Sequence, residues 1–126
     1  EGFRSAMDAA GLDGRSRVAP AAGTMPSGYE AAVDLLGNRR TRPTGVVGVC
    51  DEVAIGTIIA ARRLGIAVPT ELSVVGIDDH QHAEMFSLTT IRQQPREQGR
   101  AAVRLLLRQL DDPDAPVERS SSAAPR

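Results

Sequence analysis

Two acidic clusters, Cys50-Asp51-Glu52 and Asp78-Asp79, are the parts of this 126-residue chain best suited to do chemistry. Each follows a short apolar run, Gly45 to Val49 and Leu72 to Ile77, that lacks alternation. Such runs are expected of parallel strands covered on both faces. A carboxylate at a strand end accepts two hydrogen bonds side by side, which suits vicinal hydroxyls or an exocyclic amine. In open parallel sheets ligands bind beyond the carboxyl ends of the strands. Asp78 is therefore the leading candidate for a ligand contact. Asp51 precedes a helical pattern and has two readings, a plain N-cap or a ligand contact. Asp79 reads as a solvated or loop-ordering neighbour, and Cys50 as a small buried hydrophobe. His80 and His82 have no third ligand at a useful spacing, so no metal centre is expected.

Catalysis finds little support. Gly45 and Gly48 lie inside a strand rather than at a strand-to-helix turn, so there is no phosphate loop. No serine sits in a nucleophile elbow. Asp51 as a phospho-acceptor would need a lysine at a later strand end to hold the phosphoryl group. All fifteen Lys-plus-Arg positions are arginine. No cofactor is expected. The net charge of −1 comes without a basic block, which argues against this segment gripping a phosphate backbone by itself. Cys50 is the single cysteine, so no internal disulfide can form, and a reducing compartment fits. No run of about 18 apolar residues offers a membrane span. The N-terminus lacks both an initiator Met and the apolar run of a signal peptide, so the chain is expected to begin inside a longer protein or to be a processed product.

The elements that must position these residues follow from pattern and punctuation. A helix is predicted over 3–10, ended by Gly11. A weak strand, interrupted by Pro20, is predicted over 17–22. Ser27 and Glu30 have the spacing of a capping box, and the helix they open is expected to bury Tyr29, Val33 and Leu36 before stopping at Gly37-Asn38. Strands at 45–50 and 72–77 flank a helix over 52–64, closed by Gly65, with Ile55, Ile58 and Ile59 on one face. Residues 80–88 show no period and 89–93 look extended. Pro95 opens a last helix to about Leu110, with Gly99, Ala102, Val103, Leu106 and Leu110 on one stripe and Arg104 and Arg108 opposite. The alternation of helix and strand implies an α/β fold, an open parallel sheet flanked by helices. With only three aromatic residues, Phe3, Tyr29 and Phe86, the core must be built from Ala, Val, Ile and Leu.

Taken in order, Pro43-Thr44-Gly45-Val46, Cys50-Asp51-Glu52-Val53-Ala54-Ile55-Gly56, Leu64-Gly65-Ile66-Ala67-Val68-Pro69, Leu72 to Asp79 and Leu88-Thr89-Thr90-Ile91-Arg92-Gln93 resemble the signatures of the lactose/galactose repressor (LacI/GalR) family. Gly2-Phe3 and Ser27-Gly28-Tyr29 fit its upstream pattern. The resemblance covers residues 1–112 and implies a periplasmic-binding-protein-like (type I) effector domain. Residues 1–91 would form its C-terminal lobe. Residues 92–112 would be a crossover and a helix returning to the N-terminal lobe, and 113–126 a disordered tail. It implies a cytoplasmic bacterial transcription regulator whose small polar effector, sugar-like, shifts lobe orientation. Operator DNA would be bound only through a separate N-terminal domain, and the full-length form would be a homodimer. By the same resemblance, Asp78 holds effector hydroxyls or amines and Gln93 is a crossover contact. Cys50 stands at an effector-binding position where many members carry Asn, so a polar contact there is lost or replaced by a thiol. Gly23 falls where an aromatic platform often stacks on a sugar, and a further effector-binding Arg would lie before Gly2. A periplasmic solute-binding protein of a sugar transporter is the alternative with the same fold, and a poorly folding remnant is a third.

Overall fold

The computed structural model describes residues 2–114 and 116. It divides into two units, one ending at Arg92 and one beginning at Gln93. The first unit runs α1 (Gly2–Ala9), a 3-10 turn, α2 (Met25–Gly37), β1 (Gly45–Val47), α3 (Asp51–Arg63), β2 (Ser73–Asp78), a second 3-10 turn (Glu84–Phe86) and β3 (Thr89–Arg92). The second contains α4 (Pro95–Asp111). Most of the tail expected to be disordered, residue 115 and residues 117–126, lies outside the described residues.

The three strands form one parallel sheet in the order β1-β2-β3. Because side chains alternate across a strand, Val74 and Gly76 share one face of β2 while Val75 and Ile77 share the other. The first face receives α3, and Val74 is buried there. Strand register carries the second face to Val47, paired with Val75, and to Ile91, paired with Ile77. That face is the less covered, with Val47 55% and Ile91 60% exposed.

Helix α3 is the centre of the unit. It packs against β2 and against α2, so it is buried on more than one side: Val53, Ala54, Ile55, Ile58, Ala60 and Ala61 all leave solvent. Leu36 of α2, Ile66 after α3, Leu72 before β2 and Leu88 before β3 close the core around it. The two helices touch through glycine. A Cβ on Gly28 would fall 2.5 Å from the Val53 carbonyl oxygen, and one on Gly56 would fall inside the Met25 carbonyl and the Tyr29 amide. Backbone therefore rests on backbone at this crossing. Acidic Asp51 and Glu52 in the first turn of α3, and Arg62 and Arg63 in its last, complement the helix dipole.

Two expectations are corrected. Residues 17–22 form no strand; Pro20 removes a ladder donor. The start of α2 is capped by Thr24 and Ser27, not by Ser27 and Glu30. Pro26 provides the reason, since a proline early in a helix favours the first turn, and it moves the cap upstream. Ser27 Oγ accepts from the amides of Ala22 (3.0 Å) and Thr24 (3.2 Å) and donates to the Thr24 carbonyl (2.9 Å). Ser27→Ala is expected to cost about 1–2 kcal/mol, the usual range for a lost cap. Glu30→Ala is expected to stay within about 0.5 kcal/mol, as for an exposed residue without a special role. Urea unfolding midpoints of the two variants check the reassignment.

In the second unit, α4 has Pro95 in its first turn and buries no side chain. Val103, Leu106, Leu107 and Leu110 make a stripe at helical spacing, each more than half exposed.

Candidate functional site

The carboxyl edge of the sheet assembles most of the residues singled out by type. Val47, the last residue of β1, pairs with Val75; Cys50 follows three residues later as the N-cap of α3, and Asp78 ends β2. Asp78 itself pairs with Arg92 of β3. Cys50 is half-buried, and its thiol points to the Gly23 carbonyl oxygen at 3.5 Å. Gly23, at φ 77°, adopts a backbone conformation natural to glycine. The loop before α2 is thereby joined to the start of α3.

Asp78 is exposed and ends β2 with φ 128°, followed by Asp79 at φ 58°. Asp tolerates the left-handed region better than most residues, which suits Asp79. The φ of Asp78 lies outside even that basin. Residues held in such sparsely populated regions store about 1–3 kcal/mol of strain, and they cluster at functional sites.

Asp51 is the residue that holds this turn. It is fully buried, the first residue of α3 rather than its N-cap. Cys50 is the N-cap, without a side-chain capping bond. Of the two readings of Asp51, the capping one is thus overturned: its carboxylate turns away from its own helix, to the His80 amide and the Thr90 hydroxyl. Oδ2 accepts from the His80 amide at 2.7 Å and Oδ1 accepts from the Thr90 hydroxyl at 2.6 Å. Thr90 Oγ1 in turn accepts from the Asp79 amide at 3.1 Å. Gly76 makes room for this arrangement, because any Cβ there would collide with Asp51 Oδ1. Asp79 carries an ion pair with Arg92, which accounts for its loop-ordering role. His80 Nδ1 accepts from the His82 amide at 3.2 Å, a local turn contact.

Of the four residues named from the sequence, Asp51 is tied to the turn that follows Asp78, and Cys50 adjoins Asp51 as the N-cap of α3. Asp51 lies behind the surface rather than on it. Gln93 opens the second unit, one residue past the end of β3. Thr90 and Gly76 were missed as site residues. Gly76 carried a signal, since a lone glycine inside a strand marks a bulge or a close approach; Thr90, inside an extended run, carried none.

A groove of about 770 Å³ lies elsewhere, between residues 17–22 and the outer side of α2, with Arg17, Ser27, Glu30 and Asp34 on its walls. It is wide open to solvent, and it has no strained backbone and no buried carboxylate. The strand-end edge has both, and it is the better candidate. Among the described residues no helix is long and apolar enough to cross a membrane.

Comparison with known proteins bears on the family of the chain. The chain matches the family described as periplasmic binding protein-like domain over residues 1–126. The HTH-type transcriptional repressor PurR of Serratia proteamaculans is 37% identical over 110 residues, covering 85% of this chain and 32% of that repressor. Among solved structures, a LacI transcriptional regulator from a Rhodococcus species matches with a TM-score of 0.78 at 36% identity, covering 88% of this chain and 42% of that one. A LacI family transcriptional regulator from Enterococcus faecium, solved with bound ribose, matches with a TM-score of 0.74 at 29% identity, covering 92% and 43%. The chain spans 24–36% of the length of the curated relatives it matches. With the family matched from end to end, this chain belongs to the periplasmic binding protein-like domain family, and it is similar to part of LacI-family transcriptional regulators.

Proposed function

We propose that this chain is the ligand-sensing part of a bacterial DNA-binding transcriptional regulator, and that a small polar effector, a sugar or sugar derivative, binds at the carboxyl ends of its strands. The observation that carries this reading is Asp78: an exposed carboxylate at the end of β2, on a strained backbone anchored from behind by a buried Asp51. Its two oxygens suit paired hydroxyls. Cys50 is read as a neighbouring thiol contact, and Gln93 as a contact from the crossover. Asp51 acts through the turn rather than on the ligand, since it is fully buried. Gly23 offers no aromatic surface, which favours a ligand held by hydrogen bonds over one held by stacking. The ribose in the Enterococcus faecium regulator is a ligand of this chemistry.

Residues 1–91 are read as the C-terminal lobe and 92–112 as the crossover and the helix that returns to the N-terminal lobe. The apolar stripe of α4 is read as the surface seated there. The effector would shift the population of lobe arrangements and, through a homodimer, the affinity of a separate DNA-binding domain for its operator. A full switch from 1:99 to 99:1 requires about a 10⁴-fold preference for one arrangement. Repressor relatives support this regulator in the cytoplasm, without catalysis, over a solute-binding protein of a transporter.

Asp78→Asn tests the assignment, because Asn keeps the size and shape of Asp while removing its charge and the position is exposed. In calorimetric titrations with ribose, lactose and ribonucleosides, the variant is expected to lose at least about ten-fold in affinity for whichever binds, or about 1.4 kcal/mol. Its unfolding midpoint should be unchanged. Equal affinity in variant and wild type would contradict the role of Asp78.

A further inference from the structure

We infer that Thr90 is a positioning residue: acting with Asp51, it locks the turn after β2 and so sets the direction in which Asp78 presents its carboxylate to the ligand. The inference rests on the reading of Asp78 as the ligand contact. The Thr90 hydroxyl is used in both directions, donating to Asp51 Oδ1 and accepting from the Asp79 amide. The other oxygen of Asp51 takes the His80 amide. The two amides that follow Asp78 are thus both fastened to one unit made from β3 and α3, elements that meet the turn from opposite directions in the chain. Gly76 leaves open the space through which the Asp51 carboxylate reaches Thr90. Asp78 and Asp79 sit at φ 128° and 58°. Without the two anchors, this stretch has no reason to stay in so sparsely populated a conformation. Relaxation toward an extended backbone would swing the Cα–Cβ bond of Asp78 away from the edge.

Packing alone does not explain Thr90, since valine has the same shape and neither donates nor accepts. Nor does the ion pair between Asp79 and Arg92 explain the lock, because the Arg92 side chain is 74% exposed and such pairs are weak.

The experiment compares Thr90→Val, Thr90→Ser and Asp78→Asn with wild type in the full 126-residue chain, labelled with ¹⁵N. Amide hydrogen exchange is read at Asp79, His80 and the α3 core, the Asp78 coupling constant reports its φ, and ribose is the binding probe. Thr90→Val is expected to speed exchange at Asp79 and His80 at least ten-fold more than at Ile55 and Ile58. The Asp78 coupling should move toward that of an extended residue, and ribose affinity should fall about as far as in Asp78→Asn. Thr90→Ser, which keeps the hydroxyl, should restore all three. Unchanged exchange at Asp79 and His80, or an equal rise throughout the core, overturns the inference, as does serine behaving like valine. If Asp78→Asn weakens ribose binding and Thr90→Val does not, the positioning role falls and the reading of Asp78 stands. If Thr90→Val loosens the turn while Asp78→Asn leaves binding untouched, it is the reading of Asp78 that falls, and with it any role of Thr90 in ligand binding.

Discussion

Gly56→Ala is expected to destabilise the protein by about 2–4 kcal/mol, even though alanine is the better helix former. Two effects oppose each other. Replacing a mid-helix glycine gains up to about 1 kcal/mol from backbone entropy. Against this, the new methyl would land on the backbone of α2, inside the Met25 carbonyl and the Tyr29 amide, with the Gly28 carbonyl carbon 3.1 Å away. A flexible side chain could yield, whereas a hydrogen-bonded helix backbone cannot, so the helices must separate along their whole contact. That contact holds Leu36, Ile55 and Ile58, three of the most buried side chains. The melting temperature should fall by roughly 10–25 °C in a domain of this size. Gly99→Ala in α4 is the matched control, since nothing lies within 4 Å of a Cβ there. It should be neutral or stabilising.

Asp51→Ala is expected to cost a similar amount, about 2–4 kcal/mol, from unpaired donors rather than from crowding. The carboxylate is fully buried and both oxygens are used. Truncation leaves the His80 amide and the Thr90 hydroxyl without their acceptor and opens a void above Gly76. Asp51→Asn should be milder, about 1–2 kcal/mol: its one carboxamide oxygen, placed where Oδ2 lies, accepts from the His80 amide, and its NH₂ donates to the Thr90 oxygen. Urea titrations decide between them. The midpoint should shift far more for Ala than for Asn, with the slope unchanged if unfolding stays two-state.

Much of the scaffold was legible because its signals are local. Buried parallel strands leave apolar runs without alternation, and those at 45–50 and 72–77 hold β1 and β2, although β1 is shorter than expected and ends at Val47, because Cys50 already caps α3. Gly11 and Gly65, expected as helix ends, have the φ values of +67° and +69° that this role requires. Pro95 opens α4 as anticipated. What escaped the sequence depends on groups far apart in the chain. Asp51 at the head of a helix looks like a cap, and nothing nearby tells that Thr90, 39 residues on, will claim its carboxylate. The glycine crossing joins Gly28 and Gly56 in the same way. The cap of α2 was misassigned because two capping patterns overlap at Ser27, and Pro26 selects the upstream one. Asp78 was legible as a strand-end carboxylate, but its unusual φ and the device that holds it were not.

The most direct test of the central claim is a map of amide chemical shifts in the labelled chain as ribose, lactose and ribonucleosides are added. If the chain senses a small polar ligand at its strand ends, a binding member of this set will move the amides of Cys50, Asp78, Asp79 and His80 together, along with Gly23. Saturable shifts confined to residues 17–22 and the outer face of α2, or no saturable shift with any of these ligands, would contradict it.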